Sequence, residues 1–98
     1  IIDRNGLQIT GKTEDVCSLE PLQSKFESFG WSVRGVDGHS IRELTTALES
    51  VPFTRSKPSL IIAKTTKGKG VSFMENNVDF HGKAPNAGEV ETALKELE

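Results

Sequence analysis

Residues 59–64 read Ser-Leu-Ile-Ile-Ala-Lys and follow Lys57-Pro58. Four apolar residues in a row, in a short segment opened by a proline, describe a strand covered on both faces, as in a parallel sheet. The rest of the chain supplies the pieces such a sheet needs. Trp31-Ser32-Val33-Arg34-Gly35-Val36 is a second short apolar segment bounded by breakers, and Ile1-Ile2 a third. Ile1-Ile2-Asp3 reads as the end of a strand already under way, so the chain is expected to be a segment of a larger protein.

Three helices fit around these strands, near 20–29, 40–51 and 87–97. Leu22, Phe26 and Phe29 recur at helical spacing, with Pro21 near the first position and Gly30 just past the end. Ser40-Ile41-Arg42-Glu43 has the form of a capping box, followed by an expected buried stripe of Ile41, Leu44, Leu48 and Val51. Asn86 and Glu89 open the third helix, with Val90, Leu94 and Leu97 on one face. Helices alternating with strands predict an α/β fold: a parallel sheet with flanking helices and right-handed crossovers.

Between the third strand and the last helix, residues 65–85 show neither helical nor strand period. TTKGKGVSFMENNVDFHGKAP holds Lys67, Lys69, Lys83, His81 and three glycines. A connection of this length is either functional or disordered. It leaves the carboxyl end of a strand, where α/β sheets bind their ligands. It is therefore the first place to look for chemistry.

Gly6 to Thr13, GLQITGKT, matches the pattern of a nucleotide-binding P-loop. That motif requires a helix starting at the lysine, so that amides and helix dipole converge on phosphate. Thr13 to Glu20 has no apolar stripe, and Pro21 would stop a helix within two turns. The match reads as coincidence.

Composition narrows the classes further. A net charge of −2 offers no basic field for nucleic acid. No apolar run approaches the roughly 20 residues that span a bilayer, and no signal peptide is expected. A single cysteine, Cys17, forms neither an internal disulfide nor a metal cluster, which points to a cytoplasmic location.

IIDRNGLQITG at 1–11, FGWSVRGVDGHSIREL at 29–44, IIAKTTKGKGVSF at 61–73 and DFHGKAPN at 79–86, taken together, resemble transketolases. The resemblance is narrower still to the N-terminal, thiamine diphosphate-binding section of split transketolases, and it spans essentially the whole chain. It implies that residues 1–98 are the C-terminal part of a thiamine diphosphate-binding domain, with the upstream portion absent. The family's cofactor fingerprint opens with Gly-Asp-Gly and closes with an Asn-containing turn. Only the closing half is present, as Asp3-Arg4-Asn5-Gly6-Leu7, with Arg4 where many relatives carry a first Asn.

By that match Asn5 would hold a divalent cation, Mg²⁺ or Ca²⁺, through its side-chain oxygen, and Leu7 through its backbone carbonyl. Such cations take hard oxygen ligands and bridge diphosphate oxygens. Asn5 and Lys67 would contact the cofactor, and His81 would lie near the diphosphate and the sugar, where it could donate a hydrogen bond or move a proton. Lys69 reads as a solvated lysine, and His39, in Asp37-Gly38-His39-Ser40, as a structural residue at a helix start.

The implied activity is transfer of a two-carbon ketol unit from a ketose phosphate to an aldose phosphate. The implied partner is the C-terminal transketolase section or a second subunit, in a homodimer or heterotetramer. The isolated chain is expected to be inactive. A deoxyxylulose-phosphate synthase, which shares the DGH element and the Lys-Gly loop, and a non-catalytic α/β module remain the alternatives.

Overall fold

The computed structural model describes all residues from Ile1 to Glu98. The chain divides into two compact units, one formed by residues 1–4 and 18–65 and the other by residues 5–17 and 66–98.

The first unit is a three-stranded parallel sheet in the order β1-β5-β4. Its strands are β1 (Ile2–Arg4), β4 (Ser32–Asp37) and β5 (Ser59–Lys64). The apolar 59–64 run takes the central place, and Leu60, Ile61 and Ala63 are buried there. The register aligns the carboxyl ends: Arg4 pairs with Lys64, and Lys64 with Asp37. At that end Gly38 donates to the Lys64 carbonyl at 2.8 Å. A Cβ on Gly38 would collide with the Thr65 methyl, so this approach of backbone to strand end requires glycine. The Thr65 hydroxyl donates to the Asp3 carboxylate beside it.

Two helices belong to this unit, α2 (Leu22–Ser28) and α3 (Ile41–Glu49). Helix α2 is shorter than its sequence span suggests, and Pro21 occupies the cap position rather than the first turn. Leu22 is buried, Phe26 meets Trp31 edge-on at 5.7 Å, and Phe29 is left 79% exposed.

Helix α3 departs from the expected pattern in two ways. Ser40 accepts from the Glu43 amide at 3.3 Å, as a capping residue should, but the Glu43 carboxylate turns back to the Asp37 N–H at 2.9 Å. The Ser40 amide donates instead to the Asp37 carbonyl at 3.1 Å, and the Glu43 carboxylate serves the strand-end amide. The expected stripe is also not a buried one. Ala47 is buried and Leu44 half-buried, while Ile41 and Leu48 are 76% and 51% exposed and Val51 lies beyond the helix. Periodicity identifies the residues that share a face, and the small Ala47 marks where that helix packs closely.

The second unit holds the antiparallel hairpin β2 (Leu7–Gln8) and β3 (Gly11–Lys12), the single-turn helix α1 (Thr13–Val16), a long connection, and helix α4 (Ala87–Leu97). Residues 66–85 are irregular apart from a 3-10 turn at Val78–His81. Irregular here does not mean loose. Gly68, at φ 71°, lies so close to Met74 that a Cβ would fall 2.5 Å from the Met74 carbonyl oxygen. The Asn76 amide donates to the Lys67 carbonyl at 2.9 Å, and Val71 is buried.

Helix α4 opens with the full capping box read from sequence: Asn86 accepts from the Glu89 amide at 3.0 Å, and Glu89 from the Asn86 amide at 2.7 Å. Its Val90, Leu94 and Leu97 face is exposed rather than buried. No helix is long and apolar enough to cross a membrane.

Candidate cofactor and metal site

The GLQITGKT stretch folds as a hairpin. Leu7 pairs with Lys12 and Gln8 with Gly11, leaving Ile9-Thr10 as the two-residue turn. Thr13 donates to the Gly6 carbonyl through its amide at 2.9 Å and its hydroxyl at 3.3 Å. The stretch is a two-stranded ladder rather than a loop wrapped around phosphate, and the helix that follows ends after four residues. The P-loop pattern is a coincidence of spelling.

The same ladder has a useful consequence. In antiparallel pairs, hydrogen-bonded and non-hydrogen-bonded positions alternate. Because Thr13 bonds to Gly6, Leu7 occupies a non-hydrogen-bonded position, with its own N–H and C=O turned away from β3. The N–H is taken by the Asn5 side-chain oxygen at 2.9 Å, closing an Asx-type turn through Gly6 at φ 77°. That leaves the Leu7 carbonyl without a ladder partner.

A cleft of about 120 Å³ opens beside this turn, lined by Asn5, Leu7, Gln8, Lys67, Val78 and His81. All four residues singled out in the sequence, Asn5, Leu7, Lys67 and His81, meet there. Gln8 and Val78 complete the lining. No residue type marks them in advance; they arrive as strand and turn neighbours of Leu7 and His81.

Each side chain is placed by local structure. Lys67 enters from the glycine-rich loop, half-buried, and forms no ion pair, whereas Lys69 lies 3.5 Å from Glu75 and is largely solvated. His81 closes the 3-10 turn, which Asn77 caps by accepting from the Asp79 amide at 3.0 Å. Phe80 is packed against Phe73 with ring centroids 5.7 Å apart, fixing the turn that presents His81. Lys83 lies 5.0 Å from the centre of the Phe80 ring and pairs with Glu89 at 3.5 Å.

The residues lining the cleft thus carry a side-chain amide, a main-chain carbonyl free of the ladder, an unpaired cation and an imidazole. Nowhere do three or more His, Cys, Asp or Glu side chains gather as a metal cluster, so the hard donors this chain offers are neutral oxygens. Neutral oxygens suit a magnesium or calcium ion whose remaining ligands come from phosphate and water. Lysine and imidazole suit the phosphate oxygens themselves. His39 stands apart from this set, in the first unit, with its amide donating to the Asp37 carboxylate at 2.9 Å.

A parallel α/β sheet in one unit and, in the other, a cleft lined by a lysine, a histidine and polar oxygen-bearing residues suit a domain that takes a phosphate-bearing cofactor. Comparison with known proteins makes the class specific: residues 1–97 match the model of the transketolase thiamine diphosphate-binding domain, and the chain belongs to that family. It is 43% identical over 97 residues to one subunit of the apulose-4-phosphate transketolase of Phocaeicola vulgatus, covering 99% of this chain and 34% of that protein. It is 40% identical over 96 residues to the 6-deoxy-6-sulfo-D-fructose transketolase subunit SqwG of a Clostridium species, covering 98% of this chain and 35% of that one. Human transketolase shares 33% identity over 97 residues, 99% of this chain and 15% of its own. A transketolase of Pichia stipitis, crystallised with fructose-6-phosphate, superposes with a TM-score of 0.84 at 26% identity, covering 96% of this chain and 14% of that one. The chain thus spans about a third of the length of the Phocaeicola and Clostridium proteins.

Proposed function

We propose that this chain forms the metal and diphosphate end of a thiamine diphosphate site in a transketolase that works with a partner subunit. The observation that carries the reading is the convergence of Asn5, Leu7, Lys67 and His81 on one cleft. Relatives named as subunits of transketolases support a partner subunit; our reading of it is a C-terminal section or second subunit, in a homodimer or heterotetramer.

When bound, thiamine diphosphate supplies the carbon chemistry that moves a two-carbon ketol unit from a ketose phosphate to an aldose phosphate. The chain's own residues bind and orient it. Asn5 and Leu7 would offer oxygens to Mg²⁺, or Ca²⁺ in its place. Lys67 would balance the charge of the diphosphate. His81 would donate a hydrogen bond to a phosphate or sugar oxygen, or hold a proton there. The free, exposed Cys17 fits a reducing cytoplasm, where we place the enzyme.

Titration calorimetry on the complete protein, with thiamine diphosphate and Mg²⁺, tests this site. Asn5→Ala should weaken binding of Mg²⁺ and of cofactor together, because it removes a ligand and the side-chain acceptor that holds the Leu7 amide in the turn. Binding unchanged in Asn5→Ala and His81→Ala would show that the cleft is not the cofactor's. The isolated 98-residue chain should bind the cofactor weakly or not at all, since it offers two of the near-octahedral ligands Mg²⁺ requires.

A further inference from the structure

Residues 66–77 bring Lys67 to the cleft without a strand or helix to hold them, so their position depends on individual bonds. Some lie within the loop: the Gly70 amide donates to the Glu75 carboxylate at 3.0 Å, and Asn77 donates through its side chain to the Phe73 carbonyl at 3.2 Å. One set reaches outside it. Ser72 donates its amide and its hydroxyl to the two oxygens of the Glu96 carboxylate, at 2.5 and 2.7 Å. Glu96 belongs to the last turn of helix α4, which is anchored at its other end by the Asn86–Glu89 capping box. Ser72 sits between buried Val71 and Phe73, and Phe73 packs on Phe80, the residue before His81.

We propose that Glu96 is a positioning residue for the cofactor cleft, acting through Ser72. It forms no hydrogen bond or ion pair with a cleft residue. By holding Ser72 with two charge-assisted bonds, it fixes the loop on both sides: toward Lys67 through the tight Gly68 turn, and toward His81 through the Phe73–Phe80 pair. The inference rests on the reading of the cleft given above, and it assigns a task to a residue that no site motif includes. It also orders the variants. Glu96→Ala removes both bonds, Ser72→Ala removes the hydroxyl bond and leaves the amide bond, and Glu96→Gln keeps the shape while losing the charge.

The test uses the complete protein with its partner subunit, titrated calorimetrically with thiamine diphosphate at saturating Mg²⁺. Outer-shell partners of metal ligands typically cost about 10–100-fold when removed; Glu96 acts from further out, through Ser72, so Glu96→Ala should raise the Kd by up to about tenfold, with Ser72→Ala and Glu96→Gln between it and the unaltered protein. Hydrogen exchange of residues 71–74 should speed up in Glu96→Ala. A lowered melting temperature with Kd and local exchange unchanged would mean that Glu96 only stabilises α4, and the proposal would be overturned. Asn5→Ala separates the two readings. Weakened binding there, with Glu96→Ala normal, removes the positioning role and leaves the site standing. Normal binding in both removes the site, and the role of Glu96 with it.

Discussion

Between Ser59 and Lys64 the strand β5 buries Leu60, Ile61 and Ala63 and is paired on both sides, by β1 and β4. Between Thr66 and Asn77 Val71 alone is buried, and the backbone is held by turns, a close glycine contact and carboxylates accepting from amides. The two stretches are neighbours in sequence and lie in different units. Burial is non-directional and tolerant of exchange among apolar side chains of similar volume. Turns and clamps depend on particular atoms. The stretch that carries Lys67 to the cleft is built the second way, and the strand at the centre of the sheet is built the first.

The largest effect should come from the core. Ile61, 3% exposed in the central strand, should cost about 2–5 kcal/mol when cut to alanine. The loss should appear as a drop in the main melting transition. Gly68→Ala should come next, at about 1–3 kcal/mol of local strain, because φ is positive and the Met74 backbone occupies the space. Here the comparison can break. Hydrogen exchange should rise around residues 66–77 and cofactor binding should fall, with the strand β5 amides still protected. If Gly68→Ala opens the sheet as readily as Ile61→Ala does, the two regions are one cooperative unit.

The two histidines sharpen the contrast. His81→Ala in the complete enzyme should weaken cofactor or donor-sugar use by about ten- to a hundredfold, the equivalent of one good hydrogen bond. His39→Ala should mainly lower stability, since it lies in the sheet unit at a helix start. Steady-state kinetics and melting curves on both variants check this. Unchanged kinetics for His81→Ala, with activity lost in a fully folded His39→Ala, would reverse the assignment.

The smallest effect is a pH dependence confined to the loop. The Ser72 amide, and then its hydroxyl, hold the Glu96 carboxyl below its ordinary value near 4.5. A depressed folded-state pKa adds stability that is complete above the unfolded value and disappears as pH falls through the lowered one. Exchange at the Ser72 amide should therefore accelerate as pH drops below about 4.5, beyond the intrinsic trend. Glu96→Gln should abolish that dependence, and a dependence that persists in this variant would have another source.

How much of this was legible in the sequence follows the same division. Strand β5 could be read to its exact bounds, because a proline and an apolar run leave few other conformations. The Asn86–Glu89 box was legible because both partners are local. The Ser40–Glu43 box was legible only in part, since the Asp37 amide that takes the Glu43 carboxylate belongs to the strand before it. The stripes on α3 and α4 were legible as faces but not as buried ones, because periodicity carries no information about what covers a face.

For the candidate site, the family pattern singles out Asn5, Leu7, Lys67 and His81, and these four line one cleft. Gln8 and Val78 could not be singled out that way, because membership of a cleft lining is a property of three-dimensional neighbours. Glu96 could not either: it is 24 residues from Ser72, and nothing in a helix-end glutamate announces its partner.

The hairpin at Gly6 to Thr13 works as a device for counting. Pleated strands offer their carbonyls alternately to the neighbouring strand and to the outside, so whether a given oxygen is available is a matter of odd or even position. With Ile9-Thr10 as the turn, Leu7 falls on the outward parity. Sliding the two strands by one residue would hand the Leu7 oxygen to β3 and offer the Gly6 or Gln8 oxygen instead, with no change in composition. A one-residue slip of register would thus change which carbonyl is free of the ladder while leaving every named side chain in the chain.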